Sequence, residues 1–80
     1  MGLDTVEFVM AVERELELEI PDADAERIAT PGQMVSYLTT RRTDLPRAEI
    51  EAVIRRLMNE ELGITEFGWD QTFHDDLGVD

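Results

Sequence analysis

Residues able to do chemistry are few in this chain, and they do not converge. The 80 residues contain no cysteine and one histidine, His74, while Ser36 is the sole serine. Without cysteine there can be no disulfide, thiolate metal site or thiol nucleophile. Ser36 falls inside a helical pattern and reads as a solvent-facing helical hydroxyl. His74 precedes Asp75 and Asp76, a trio that could hold a divalent cation weakly, but one imidazole in an acidic loop is more often a solvated group. Asp22-Ala23-Asp24-Ala25-Glu26 has the alternating carboxylates of a calcium loop, yet it lacks that loop's glycine and closing glutamate and is better read as a helix start. No nucleophile, general base or metal cluster forms, so neither enzymatic activity nor a metal site is expected.

Composition points to a binding role. Nineteen acidic against seven basic residues give a net charge of −12, which argues against nucleic acid and anionic membrane and favours partners with basic docking surfaces. A hydrophobic content of 42% is too high for a disordered acidic tail, so the charge belongs on a folded surface. A chain of this length makes one domain, residues 1–80, burying only about 60% of its unfolded surface. No apolar run is long enough to span a bilayer and no signal-peptide pattern is present. The Met-Gly start does not complete a myristoylation motif, because Val6 stands where Ser or Thr is needed. The expected location is the cytoplasm.

The elements that would position these residues follow from periodicity and punctuation. Leu3, Val6, Val9, Met10, Val12 and Leu16, with Phe8 alongside, recur at three- and four-residue spacing and predict one apolar stripe on a helix from Leu3 to Leu18. Asp4 and Glu7 occupy its first turn, where carboxylates favour the helix dipole. Glu19-Ile20-Pro21 is expected to end it. Asp22 is expected to cap a short helix running to Ile28, and Thr30-Pro31 to open the next, roughly Pro31 to Thr40, which buries Met34, Val35 and Leu38. Residues 42–46 form the linker, with Asp44 as cap for the helix that Pro46 opens. Ile50, Val53, Ile54, Leu57, Met58 and Leu62 give the second long stripe, stopped by Gly63 and packed antiparallel to the first helix. A loop from Ile64 to Asp80 follows, pinned by Phe67, Trp69, Phe73 and Leu77. The fold class is all-α, a small bundle of three main helices plus a short one.

Two terminal stretches carry a resemblance. Read tail to head, Asp76-Leu77-Gly78-Val79-Asp80 followed by Gly2-Leu3-Asp4-Thr5-Val6-Glu7-Phe8-Val9-Met10 resembles the DLGxDSLDTVELVM signature of acyl carrier proteins. Residues 3–41 resemble the second to fourth helices of that family, and residues 47–80 its first helix and following loop, so the order is circularly permuted. The family carries 4′-phosphopantetheine on the serine of this signature. Gly2 stands at that position, flanked by Asp80 and Leu3, and offers no hydroxyl. The resemblance therefore implies a carrier scaffold related to fatty acid, polyketide or lipid biosynthesis, with no prosthetic group expected on this chain as it stands.

The same resemblance implies a docking face for carrier-dependent enzymes. Asp4, Glu7, Glu13 and Glu26 match the family's acidic positions, with Val6 and Met10 as the apolar centre, whereas Arg14 and Ala23 depart from acidic positions. Glu13, Glu15, Glu17 and Glu19 equally read as a solvated face. The family can fold an acyl chain into its core, and Phe8, Val12, Leu16, Ile28, Tyr37, Leu38, Ile54 and Met58 are candidates to line such a space, although plain core packing is the better reading. The other functional class is a non-catalytic acidic helical module docking on basic enzyme surfaces. A monomer is favoured, and an extended linker would permit a swapped dimer.

Overall fold

The computed structural model describes residues 3–79, with helices α1 Leu3–Leu16, α2 Asp22–Glu26, α3 Pro31–Arg41 and α4 Arg47–Leu62, followed by a tail that returns across them. There is no strand among the described residues. α4 packs against both α1 and α3. Its direction is antiparallel to α1. Arg42, just ahead of α4, donates to the carbonyl of Leu16 at the end of α1, while Glu60 near the far end of α4 shares a groove with Ala11.

α1 buries Phe8, Val9, Ala11, Val12 and Leu16. Leu3 and Met10, expected on the same stripe, are 71% and 54% exposed. At 3.6 residues per turn both lie about half a turn from Phe8 and Val12, so the apolar residues of α1 form two rows, one inward and one outward. The helix also stops earlier than Pro21 suggests. Glu17 adopts a left-handed φ of 53°, and the Leu18 amide donates to the Glu13 carbonyl at 3.1 Å, closing a Schellman-type turn directly after Leu16.

α2 is capped at Pro21, not by the Asp22 side chain, and ends at Glu26 instead of Ile28. Asp22 is its first residue, placing a carboxylate in the first turn. α3 opens as its sequence dictates. Thr30 Oγ1 accepts from the Gln33 amide at 3.0 Å, Gln33 Oε1 accepts from the Ala29 amide at 2.7 Å, and Pro31 takes the first helical position. Met34, Val35 and Leu38 are almost fully buried. Asp44 does not cap α4. Its carboxylate instead accepts two bonds from the Arg42 guanidinium, at 2.9 and 2.8 Å, and the cap position belongs to Pro46. Ile50, Ile54, Leu57 and Met58 face the core, with Val53 and Leu62 half-buried at its margin. Gly63 closes α4 at φ 69°, where a left-handed residue lets the Ile64 amide reach the Met58 carbonyl at 3.0 Å.

Phe73 and Val79 from the tail complete the core, and Phe67, Trp69 and Leu77 pack on its edge. All buried residues among those described are apolar, and no buried side-chain polar atom there lacks a partner.

Candidate functional site

The two ends of the described chain meet at one place. In the tail, Thr72 and Asp76 cap each other's turn: Thr72 Oγ1 accepts from the Asp76 amide at 3.0 Å, and the Asp76 carboxylate accepts from the Thr72 amide at 2.8 Å. This turn aims Phe73 inward. Its amide donates to the Ala29 carbonyl at 2.9 Å, ahead of α3, and its ring meets Phe8 of α1. Gly78, at φ 68°, then reverses the backbone so that the Val79 amide bonds the Phe73 carbonyl at 2.7 Å and the Val79 side chain is buried.

A groove of about 450 Å³ results, lined by Thr5 of α1, Ala25 and Glu26 of α2, Ile28 and Ala29 of the α2–α3 connection, and Thr72, Phe73, His74, Asp75 and Val79 of the tail. Its volume falls in the range of ligand pockets, about 300–1,000 Å³. The surface within is mainly apolar, with the Glu26 and Asp75 carboxylates among its lining groups. Such an arrangement can shelter an aliphatic group. It offers no nucleophile paired with a base.

The structure separates the residues named from sequence. Gly2 and Asp80 lie outside the described residues. Leu3 opens α1 and is exposed, and with Val6 and Met10 it forms the outward apolar row, beside the exposed Asp4 and Glu7. Glu26 is exposed at the end of α2 on the groove. Glu13 does different work. It is half-buried, and its Oε2 accepts from the Ile20 amide at 2.8 Å, holding the turn that leaves α1. Arg14 sits between α1 and α4 in a groove with Glu15, Glu60 and Glu61.

The remaining chemical candidates take structural places. Asp22 to Glu26 form α2 itself, and Asp24 Oδ2 accepts from the Tyr37 hydroxyl at 2.7 Å while Oδ1 accepts from Arg27 at 3.0 Å. Burial, and then the hydrogen bond to Asp24, push the Tyr37 phenol above its ordinary value. His74 Nε2 lies 4.0 Å from Asp75 Oδ1, with both side chains almost fully exposed. Among the described residues no three metal-binding side chains converge. Ser36 is exposed on α3, its Oγ 3.5 Å from Arg47 Nη2, and lines a separate groove with Thr30, Gln33 and Trp69.

Sequence reading identified Phe73 and Leu77 as anchors but not Val79, nor the contact of Arg55 with Phe67 and Trp69. An isolated valine and an arginine on an exposed helix face carry no periodic signal that could reveal them.

Comparison with known proteins places half of this chain. It is 60% identical over 38 residues to an acyl carrier protein of Clostridium perfringens (strain SM101 / Type A), a stretch covering 48% of this chain and 50% of that protein. An acyl carrier protein of Wolinella succinogenes is 52% identical over 41 residues, covering 51% and 54% respectively. The chain thus spans about half the length of the curated relatives it matches. No family model matches it, and no solved structure does. The similarity and the all-helical four-helix fold are those of an acyl-carrier-like scaffold.

Proposed function

We propose that this chain is an acyl-carrier-like scaffold of circularly permuted order, without enzymatic activity, acting in the cytoplasm on the enzymes of fatty acid, polyketide or lipid biosynthesis. One observation carries the reading. Val79 of the tail and Thr5 of α1 line the same groove and Phe73 packs on Phe8, so the two terminal halves of the carrier signature lie side by side. Similarity confined to about half the length of each carrier relative is also what a reordered chain would produce.

The chain's residues do not fit the attachment of 4′-phosphopantetheine. That linkage needs a hydroxyl at the head of α1, and Gly2 has none. Ser36, the sole serine, lies in α3 beside Arg47 and lines a different groove from the one at Thr5 and Val79. The scaffold's remaining capacities are docking and shelter. The groove takes an aliphatic chain, and the outward row of α1, Leu3, Val6 and Met10 with Asp4 and Glu7, together with Glu26, meets a basic enzyme surface. Leu3 and Met10 are the large apolar side chains left exposed among the described residues, which favours this face as a contact in either functional reading. The charge speeds encounter more than it tightens binding.

A phosphopantetheinyl transferase with coenzyme A tests the proposal by mass. The unaltered chain should gain nothing, and Gly2→Ser should be modified at most slowly. A chain rejoined from Asp80 through a serine to Leu3 and opened near Thr43 should be modified rapidly. Modification of the unaltered chain would overturn the vacancy. Failure of the rejoined chain would overturn the permuted carrier reading and leave the second one, an acidic interaction module using the same face of α1.

A further inference from the structure

We propose that Arg55 of α4 is the positioning residue for one wall of the groove: by holding Phe67 and Trp69 it fixes the strap that carries Phe73 and Val79 to α1, and so governs whether an apolar guest can enter.

Arg27, Arg42, Arg47 and Arg56 each pair with a carboxylate. Arg55, like Arg14 and Arg41, forms no carboxylate ion pair among the described residues, but it alone lies over two aromatic rings. Its guanidinium lies instead 5.6 Å from the Phe67 ring centroid and 5.2 Å from that of Trp69. The two rings pack edge to face at 5.0 Å. One cation thus gathers two aromatic residues, which its attraction to their ring faces stabilises.

What those rings hold is the strap. Residues 64–79 contain no helix, so no internal ladder keeps them in place and their position depends on ties to the bundle. The Trp69 carbonyl accepts from the Gly32 amide at 2.8 Å, at the first turn of α3. Fit there is close, since a Cβ on Gly32 would stand 2.8 Å from that same oxygen. Just beyond, Phe73 bonds Ala29 through its amide and Phe8 through its ring. Contacts therefore run from Arg55 through Trp69 to Gly32, and on to Phe73 at the groove. The opposite wall, α2, is tied independently by the Tyr37–Asp24 hydrogen bond. Loosening Arg55 moves one wall and leaves the other.

This inference rests on the reading that the groove takes an aliphatic chain, and its test separates the two. Binding of decanoyl pantetheine, an uncharged probe, would be measured calorimetrically on the full chain, with hydrogen exchange at the Phe73 and Leu38 amides, Trp69 emission and chemical denaturation. Arg55→Gln, which retains the stem without the charge, should weaken binding about fivefold, accelerate exchange at Phe73 but not at Leu38, and shift Trp69 emission to the red. Arg55→Lys should restore part of each effect, and Gly32→Ala should reproduce the loss with Arg55 intact. A residue that served only global stability would accelerate both amides together and gain nothing from lysine. Unchanged binding and unchanged Phe73 exchange in Arg55→Gln would overturn the proposal. If the unaltered chain does not bind the probe, the guest-binding reading fails, and the Phe73 exchange of Arg55→Gln decides the positioning role by itself: selective acceleration supports it and no change overturns it.

Discussion

The rings of Phe8 and Phe73 meet with centroids 5.7 Å apart and planes tilted by 53°, joining the first turns of α1 to a tail residue 65 positions later in the chain. Phe8 is 1% exposed. Tilted aromatic pairs add to the gain from burying their area, so the contact helps tie the tail to α1.

Phe8→Ala should therefore cost on the order of 3 kcal/mol, within the range seen for buried phenylalanine truncations. Since small domains have only about 5–15 kcal/mol in total, the denaturation midpoint should fall sharply. A loss under about 1 kcal/mol in chemical denaturation would mean that the tail does not hold Phe8 in the core.

Glu17 stands at the left-handed turn after α1 with φ 53° and is exposed. A Cβ in that region costs roughly 1 kcal/mol, and glycine has none. Glu17→Gly should raise stability by several tenths to about 1 kcal/mol despite the extra freedom of the unfolded chain. Glu17→Val, with a branched Cβ at the same angle, should lower it. Equal melting of the two variants would place the helix end elsewhere.

Tyr37, the single tyrosine, should titrate above the ordinary value of about 10. Burial is the main cause, followed by the hydrogen bond to Asp24, with the nearby Arg41 guanidinium opposing both. A raised phenol pKa means that the folded state holds the proton more tightly than the unfolded chain does. The associated stability is fully present below the unfolded value and is lost as pH rises through the folded one. Ultraviolet titration of tyrosinate should show the raised midpoint, and Asp24→Asn should lower it without returning it fully. No movement in Asp24→Asn would mean that the α2–α3 tie does not persist in solution.

How much of this was legible in the sequence depended on range along the chain. Thr30-Pro31 opening α3, Gly63 closing α4, and the inward rows of Met34, Val35 and Leu38 and of Ile50, Ile54, Leu57 and Met58 all stand as periodicity and caps predict. These signals act within one or two turns, where backbone geometry alone relates the residues. The similarity to acyl carrier proteins over about half of the chain was legible in the same way, from residue types alone. The end of α1 was not. It rests on the Glu13 carboxylate reaching Ile20 and on Arg42 reaching the Leu16 carbonyl from 26 residues away. Nor did spacing reveal which apolar residues of α1 would face outward, because Leu3 and Met10 follow the same three- and four-residue rhythm as the core and only the packing of α4 and the tail selects the buried side. The groove itself is made by segments far apart in the chain. Thr5, Ile28, Phe73 and Val79 share it because the tail is held by Gly32, Ala29 and Arg55, and such contacts form only once the loops between them have closed.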